Sequence, residues 1–556
     1  MRLGPRAAGL TRRPCSNPAQ VLVRISSVTP ISLIRIRGAL AGLLSGAVGV
    51  CVGFLIAGLT GPVGSPVVAV AELSIDLSPP PVKNFAIKEF GSHDKLVLQI
   101  GVLVVLAIFA AVIGTLAQRN MRNGYIGIGV FCLIGLIAAV TRPTSGPADV
   151  LPTLVGSAAA AFAIVKLVGA AGRLSAEQAP DDAASQARQR RTASLTVSEP
   201  ARRQFMTLGA TAAGGAAVAY FGGRLLSERA NVTAAVSSLK LPSPTVPEPP
   251  LPVGVDLRIP GLSSFITPNS AFYRVDTAIV LPQIPPASWR LRIHGMVRKE
   301  IVLTFDDLIK RPLIEDYITL CCVSNPVAGP YIGNAKWLGA SLGSLLREAG
   351  IKAGADQLFC TSFDGFTSGT PVATAMDGRD AMLAVAMNGK PLPVAHGFPV
   401  RTVVPGLYGY VSACKWITDI EVTSYAANQS YWAQRGWLAQ APIKTESRID
   451  LPTGQGSINA GRTAIAGVAW AQHKGIEAVE VRVDRGPWRQ ATLAAVPGID
   501  TWRQWVMYWD APAGRHVIEA RATDKTGYTQ TPVQVPPEPN GASGYPIVQV
   551  NVSPTP

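Results

Sequence analysis

Four runs of about 20 apolar residues, each long enough for a bilayer core, fall within the first 171 positions, at 38–59, 96–117, 125–141 and 151–171. No water-soluble fold readily hides that much contiguous apolar chain. The positive mean hydropathy of +0.27 comes from this part, so the two halves must be read separately. Three further runs follow the first, so a cleavable export signal is excluded for it. Almost no charge interrupts them, and Lys166 lies near an end. That argues against a transporter, which needs polar groups along its pathway.

Charge placement predicts the orientation. Residues 1–37 hold seven arginines and no acid. An apolar run starts directly afterwards, so the tail is read as a cytoplasmic flank and not as a nucleic-acid-binding arm. Arg119 and Arg122, and then the arginines of the 172–204 loop (Arg173, Arg188, Arg190, Arg191, Arg202, Arg203), fall on the same side in an alternating path. The part that follows the helices is therefore expected outside the cytoplasm. The net charge of +15 needs no nucleic-acid partner to explain it.

A fifth run differs in texture. PARRQFMTLGATAAGGAAVAYFGGRLL (200–226) is rich in Gly, Ala and Thr. Arg202-Arg203 followed by Phe205 and Met206 is similar to a twin-arginine export signal, with Ala201 and Met206 departing from it. An ordinary fifth span with basic residues inside remains the alternative. In either case the helix is expected to stay as an anchor. The proline-rich run LPSPTVPEPPLP (241–252) predicts a stiff extended spacer that holds the rest away from the bilayer.

From about 256 the pattern changes to short strands, turns and a few helices. WRLRIHGMV (289–297) alternates like a strand, LTFDDLIK (303–310) like a short helix capped by Thr304 with Asp307 at the third position, and SLGSLLREAG (341–350) like a helix closed by Gly350. This mixture is α+β. After about 446 apolar and polar residues alternate between turn residues, which predicts an immunoglobulin-like sandwich. Trp488, Trp502, Trp505 and Trp509 are read there as sheet packing.

Seven cysteines without regular spacing argue against a disulfide framework or zinc knuckle. In ITLCCVSNP (318–326) a strand runs into adjacent cysteines. Neighbours on a strand point to opposite faces, so at most one of Cys321 and Cys322 faces a pocket; two buried core cysteines is the plainer alternative. In MNGKPLPVAHGFPVRTVVPG (387–406) and CKWITDIEV (414–422), His396, Arg401 and Lys415 stand among apolar residues, glycines and prolines. They suit a fixed anionic ligand such as a phosphate or a pterin, or else form a solvated surface turn.

Taken together, residues 262–556 resemble the sulfite oxidase family of molybdenum enzymes. ITPNSAFYRVD (266–276), TLCC-x-x-N (319–325), MNGKPLP-x-x-HGFPVR-x-VVPG with its later Lys-Trp pair, and TWRQWVMYW (501–509) occur in the family's order. The resemblance implies Cys322 as the thiolate ligand of molybdenum, a soft donor. It implies Arg274, His396, Arg401 and Lys415 as holders of the pyranopterin (molybdopterin) and its phosphate, and Arg503 as an arginine of the substrate-anion pocket. Two departures stand out. Asn325 is followed by Pro326 and Val327 where sulfite oxidases carry arginines. Trp437 aligns with their active-site tyrosine, and a tryptophan has no phenolic O–H. The cofactor pocket reads as intact and the sulfite pocket as rebuilt.

The expectation is thus an α+β sulfite-oxidase-type molybdopterin domain, an immunoglobulin-like β-sandwich, and an all-α transmembrane region of about five helices before them. The divisions are a basic tail (1–37), four transmembrane helices (38–171), a cytoplasmic loop (172–204), a fifth helix (205–226), a linker (227–255), the catalytic domain (256–445) and a dimerisation domain (446–556). The expected reaction is oxygen-atom transfer on a small sulfur or nitrogen oxo-compound. Reduction of S-oxides such as methionine sulfoxide, and a non-enzymatic membrane adaptor that keeps the fold, are the alternatives. No Cys-x-x-Cys-His occurs, and His93, the sole histidine of the anchor region, lies outside a predicted span. No haem is therefore expected in this chain, and electrons are expected to pass to or from a separate protein or a membrane quinone. Membrane lipid and a second copy of the chain are the remaining expected partners.

Overall fold

The structure is a computed structural model that describes residues 30–61, 64–79, 82, 85, 94–142, 146–176, 199–229, 231–454 and 457–554. Most of the basic tail, Cys15, His93, and Arg188, Arg190 and Arg191 of the 172–204 loop lie outside the described residues. Within them are helices α1 (Pro30–Thr60), α2 (Pro66–Leu77), α3 (Asp94–Arg119), α4 (Met121–Val140), α5 (Leu151–Ala176) and α6 (Glu199–Arg229). Five stretches, Arg35–Thr60, Lys95–Arg119, Met121–Val140, Pro147–Arg173 and Arg202–Ser238, are long and apolar enough to cross a membrane by length and composition. The short helix α2 was not anticipated. At 12 residues it lacks the length that makes a span legible.

The chain divides into two compact units. In the first (up to Gly49, Val105–Val130 and Ala158–Ala216), α1 and α3 meet through small residues. A Cβ on Gly42 would lie 1.9 Å from the Ala110 carbonyl oxygen, and one on Gly114 2.1 Å from that of Gly38. Only backbones without side chains approach so closely, as in other small-residue helix pairs. Asn120 alone separates α3 from α4, and its Oδ1 accepts the Arg122 N–H at 2.9 Å.

The second unit (Val50–Val104, Phe131–Ser157 and Ala217–Pro556) holds the remaining helical segments and all the strands. One mixed sheet runs in the order 301–304, 290–295, 417–423, 357–362, 367–371. A second joins Leu313–Cys321, Ile332–Ser341, Met382–Met387 and Lys390–Pro391, with Arg401–Val403 also paired to Met382–Met387. Their apolar faces share a core that includes Trp289, Leu291, Leu346, Val385 and Ile420. The short helix at Phe305 is capped as read: Thr304 Oγ1 accepts the Asp307 N–H, and Asp307 reaches back to the Thr304 N–H. Gly350 closes Leu342–Ala349 at φ 69°, a left-handed position that glycine adopts without strain.

From Glu446 two antiparallel-rich sheets follow. One orders 446–451, 461–470, 503–511, 492–493; the other orders 457–459, 547–553, 514–524, 476–483, 489–490. Ile465, Trp505, Val479, Ile518 and Ala520 bury a common apolar cluster. This β-rich region is tied to the strand that carries the paired cysteines. Trp502 N–H donates to Thr319 Oγ1 at 2.7 Å, Thr319 N–H to the Asp500 carbonyl at 3.0 Å, and Gln472 Nε2 to the Thr319 carbonyl at 3.1 Å.

One expectation is corrected. The proline-rich run does not stand as a free spacer. Thr245 N–H donates to the Leu313 carbonyl at 2.8 Å, Val246 bridges Ile314, and Leu241 and Leu251 pack on the core. Proline lacks only its own donor; the other residues of the run still pair with an exposed strand edge.

Candidate functional site

Strand Leu313–Cys321 delivers the two cysteines at its end. The Cys322 N–H then donates to the Tyr331 carbonyl at 2.9 Å. The turn is pinned by Asn325, whose Oδ1 accepts the Tyr331 N–H at 2.8 Å. Both thiols are buried, but in different surroundings. Cys321 sits near Glu446, Arg448 and Asn325. Cys322 sits near Lys415 and the hydroxyl and N–H of Ser324. Burial pushes the Cys322 thiol up, while Ser324 and Lys415 favour its thiolate. Tyr273 is close enough that burial and then Cys322 raise its phenol well above the ordinary value.

Arg274, Lys415 and Asp276 meet. Lys415 Nζ donates to Asp276 Oδ2 at 2.8 Å and to the Ala395 carbonyl at 3.2 Å. Arg274 Nε donates to the same Oδ2 at 2.8 Å. Burial alone would raise the Asp276 carboxyl. Lys415, Arg274 and Lys95 overcome it and hold the group well below the usual carboxylate range. Burial lowers Lys415 to about 8 against the pull of Asp276.

His396 and Arg401 flank this cluster. The turn at His396 comes so near Lys415 that a Cβ on Gly397 (φ 109°) would lie 3.2 Å from the Lys415 Cα; only glycine suits that position. His396 Nε2 is 3.2 Å from the Asn269 carbonyl. A carbonyl can only accept, so Nε2 carries the proton and Nδ1 of the neutral ring is left as an acceptor. Burial, Arg401 and Lys415 lower His396 to about 4. Arg401 is 4% exposed, lies over the Trp337 ring at 5.1 Å, and donates through Nη1 to the His396 carbonyl at 3.1 Å. Burial lowers it to about 10.

The structure does not bring Arg503 into this cluster. Its Nε donates to the Ala494 carbonyl at 2.7 Å and its Nη1 to the Ile476 carbonyl at 3.0 Å. Neighbours on a strand face opposite ways: Trp502 turns to Phe265 and Thr319, and Arg503 turns away. The C-terminal arginine that does touch the cysteine turn is Arg448, with Nη1 3.2 Å from the Gly329 carbonyl. Trp437 packs edge-on against Tyr410 and Trp432, with centroids 6.0 Å away in each case. Tyr410 follows Gly409, where a Cβ would lie 3.6 Å from the Cys321 carbonyl oxygen and 3.7 Å from the Tyr273 hydroxyl. Trp437 is thus placed against Tyr410, whose hydroxyl donates to the Leu438 carbonyl.

Three participants were missed. Asp276 is an acid where a basic site was sought, although its place two residues after Arg274 on an extended segment was a usable signal. Tyr273 lies inside the quoted ITPNSAFYRVD motif, from which only Arg274 was singled out. Lys95 donates to Asp276 Oδ1 at 2.5 Å across 181 residues of sequence, and nothing local announces that.

The arrangement passes a test for an anionic cofactor. Lys415, Arg274 and Lys95 share one carboxylate, and buried Arg401 stands close by, so cations outnumber anions where solvent is scarce. A buried thiol beside this charge fits a phosphate-bearing group that also takes a thiolate.

The fold and these residues define an α+β domain in which Arg274, Lys415 and Arg401 gather near a buried thiol. The comparisons agree. The family model "Oxidoreductase molybdopterin binding domain" matches residues 278–432. Sulfite oxidase of Gallus gallus is 30% identical over 322 residues, 49% of this chain and 69% of that one. Mitochondrial sulfite oxidase of Mus musculus is 31% identical over 297 residues, 45% of this chain and 54% of that one. The chain belongs to the sulfite oxidase family of molybdopterin oxidoreductases. It spans about half the length of the first mammalian relatives it matches. The crystal structure of the sulfane dehydrogenase SoxCD from Paracoccus pantotrophus shares 24% identity at a TM-score of 0.46, over 52% of this chain and 83% of that one.

Proposed function

We propose that the chain is a membrane-anchored oxidoreductase with its molybdenum–pyranopterin cofactor on the extracytoplasmic side. Cys322 is the thiolate ligand, and Arg274, His396, Arg401 and Lys415 hold the pterin and its phosphate. The observation that carries this reading is the surplus of buried positive charge beside the Cys322 thiol. When bound, the cofactor supplies a two-electron exchange of an oxygen atom with a small substrate.

The chain's own residues prepare for it. A thiol must lose its proton to bind metal, and the Ser324 N–H and hydroxyl with Lys415 favour that loss at Cys322. His396 stays neutral near pH 7 and offers Nδ1 as an acceptor, which suits the N–H donors of a pterin. Arg401, fixed over Trp337, cannot turn away from its site.

The substrate is a sulfur or nitrogen oxo-compound. Pro326 and Val327 remove arginines that a sulfite site uses, and Trp437 offers no phenol. These losses favour a substrate less charged than sulfite, such as an S-oxide undergoing reduction. The arginine-rich helix ends support a topology with the catalytic part outside, and the long apolar helices support anchoring in lipid. Electrons pass to or from a separate protein or a membrane quinone, with no haem in this chain. The two sheets after Glu446 form an immunoglobulin-like sandwich suited to homodimer formation.

Molybdenum and pterin should be quantified on the full chain from molybdenum-sufficient cells. Activity should be assayed with sulfite and with methionine sulfoxide, using artificial dyes. Wild-type protein with stoichiometric metal, and Cys322→Ser protein with neither metal nor turnover, is the expected result. Metal-free wild-type protein would instead favour an adaptor that only keeps the fold.

A further inference from the structure

Lys95 opens the apolar stretch Lys95–Arg119, yet its ammonium lies at the cation cluster of the catalytic fold. It donates to Asp276 Oδ1 at 2.5 Å and to the Ala278 carbonyl at 2.7 Å. Arg274 already holds both carboxylate oxygens, Nε on Oδ2 at 2.8 Å and Nη2 on Oδ1 at 3.3 Å, and Lys415 adds to Oδ2 at 2.8 Å. Three cations therefore meet one carboxylate whose side chain is 6% exposed. One cation is enough to neutralise Asp276, and Arg274 and Lys415 already supply two, so a third brings repulsion among the cations along with its attraction to the carboxylate. The arrangement becomes favourable when an anion joins it. With Lys95 on Oδ1, the negative charge of Asp276 is screened from that anion, and Arg274 and Lys415 keep donor capacity to spare.

We propose that Lys95 is a positioning residue for the anionic end of the cofactor, so that the anchor region helps hold what the catalytic domain binds. This rests on the cofactor reading above. The helix end acts through Asp276: it shares the carboxylate and frees Arg274 and Lys415 to face a phosphate. A catalytic domain cut away from the anchor would keep every residue of the family motifs and still grip the cofactor less firmly.

The test uses the full chain in detergent micelles. Wild type, Lys95→Gln and Lys95→Arg are compared for molybdenum per chain and for the rate of pterin release, followed by fluorescence of the oxidised pterin. Lys95→Gln should release pterin about fivefold faster, the size of effect of one partly screened charge contact. Lys95→Arg should stay within about twofold of wild type. Acylation of wild-type lysines adds a readout that needs no variant. Lys95 should react slowly in cofactor-loaded protein and faster after cofactor extraction. Release from Lys95→Gln at the wild-type rate, equal loss from both variants, or a Lys95 acylated like surface lysines in both states would each overturn the proposal. Wild-type protein without molybdenum or pterin would strike the cofactor reading itself.

Discussion

Lys415 Nζ lies 2.8 Å from Asp276 Oδ2, joining two stretches of the site across 139 residues of sequence. Their side chains are 11% and 6% exposed. Removing one member of such a pair leaves the other charge buried, which costs about 3–5 kcal/mol. Asp276→Asn should lower the unfolding midpoint markedly and release the cofactor, measured by thermal unfolding with metal analysis. The acid limb gives a second readout. The folded carboxyl is held below its unfolded value, so its contribution is present above the unfolded value near 3.8 and fades as pH falls below it. In Asp276→Asn that part of the acid dependence should vanish. An unchanged midpoint and acid limb would mean the pair contributes nothing.

His396 predicts a different window. Its folded value of about 4 lies below the ordinary histidine value of 6.5, so the unfolded chain binds more protons between those limits. Stability must then rise with pH across that interval and fall on acidification through it. The full span corresponds to about 3 kcal/mol at 1.36 kcal/mol per pH unit. His396→Gln keeps a donor and should flatten the stability profile between pH 4 and 6.5. A slope that persists in the variant would assign it to other groups.

Glu446 works with the opposite sign. Burial raises its carboxyl to about 8, and Oε1 has no partner. The folded state then holds a proton that the unfolded state has lost between about 4.5 and 8, and stability falls as pH rises through that window. Glu446→Gln should stabilise the protein at neutral pH by about 1–3 kcal/mol and remove that decline. Chemical unfolding at pH 5 and pH 8 would show it. A variant less stable than wild type at pH 8 would contradict it.

What the sequence disclosed about this site follows from range. The Thr304 cap, the Gly350 stop and the opposed surroundings of Cys321 and Cys322 depend on neighbours a few positions away, and periodicity alone predicts them. His396, Arg401 and Lys415 were legible because three donors interrupt apolar stretches. Arg503, expected at the substrate pocket, is placed apart from the cation cluster, on the Ala494 and Ile476 carbonyls, and no local pattern tells which way its side chain turns. Asp276 was hidden because a search for cations passes over the acid that organises them. Lys95 was hidden because a charge at the start of an apolar helix looks like a flank, and its partner lies 181 residues on. The proline-rich run was read as a spacer from its composition, and its contacts at Thr245, Val246, Leu241 and Leu251 reach residues distant in sequence.

The last prediction concerns the anchor region, where packing and not charge decides. A Cβ on Gly114 would lie 2.1 Å from the Gly38 carbonyl oxygen and 2.5 Å from the Gly42 nitrogen. These are backbone atoms, which no change of rotamer can move aside, so Gly114→Ala must push α1 and α3 apart. Overpacking of this kind costs about 1–3 kcal/mol, set against the few tenths to 1 kcal/mol that alanine gains over glycine within a helix. Gly101, on the same helix, has nothing within 4 Å of the added atom, so Gly101→Ala should be neutral or slightly stabilising. Thermal unfolding in micelles should therefore separate the two variants, with Gly114→Ala several degrees below Gly101→Ala. Equal midpoints would show that the close approach of α1 and α3 contributes nothing to stability.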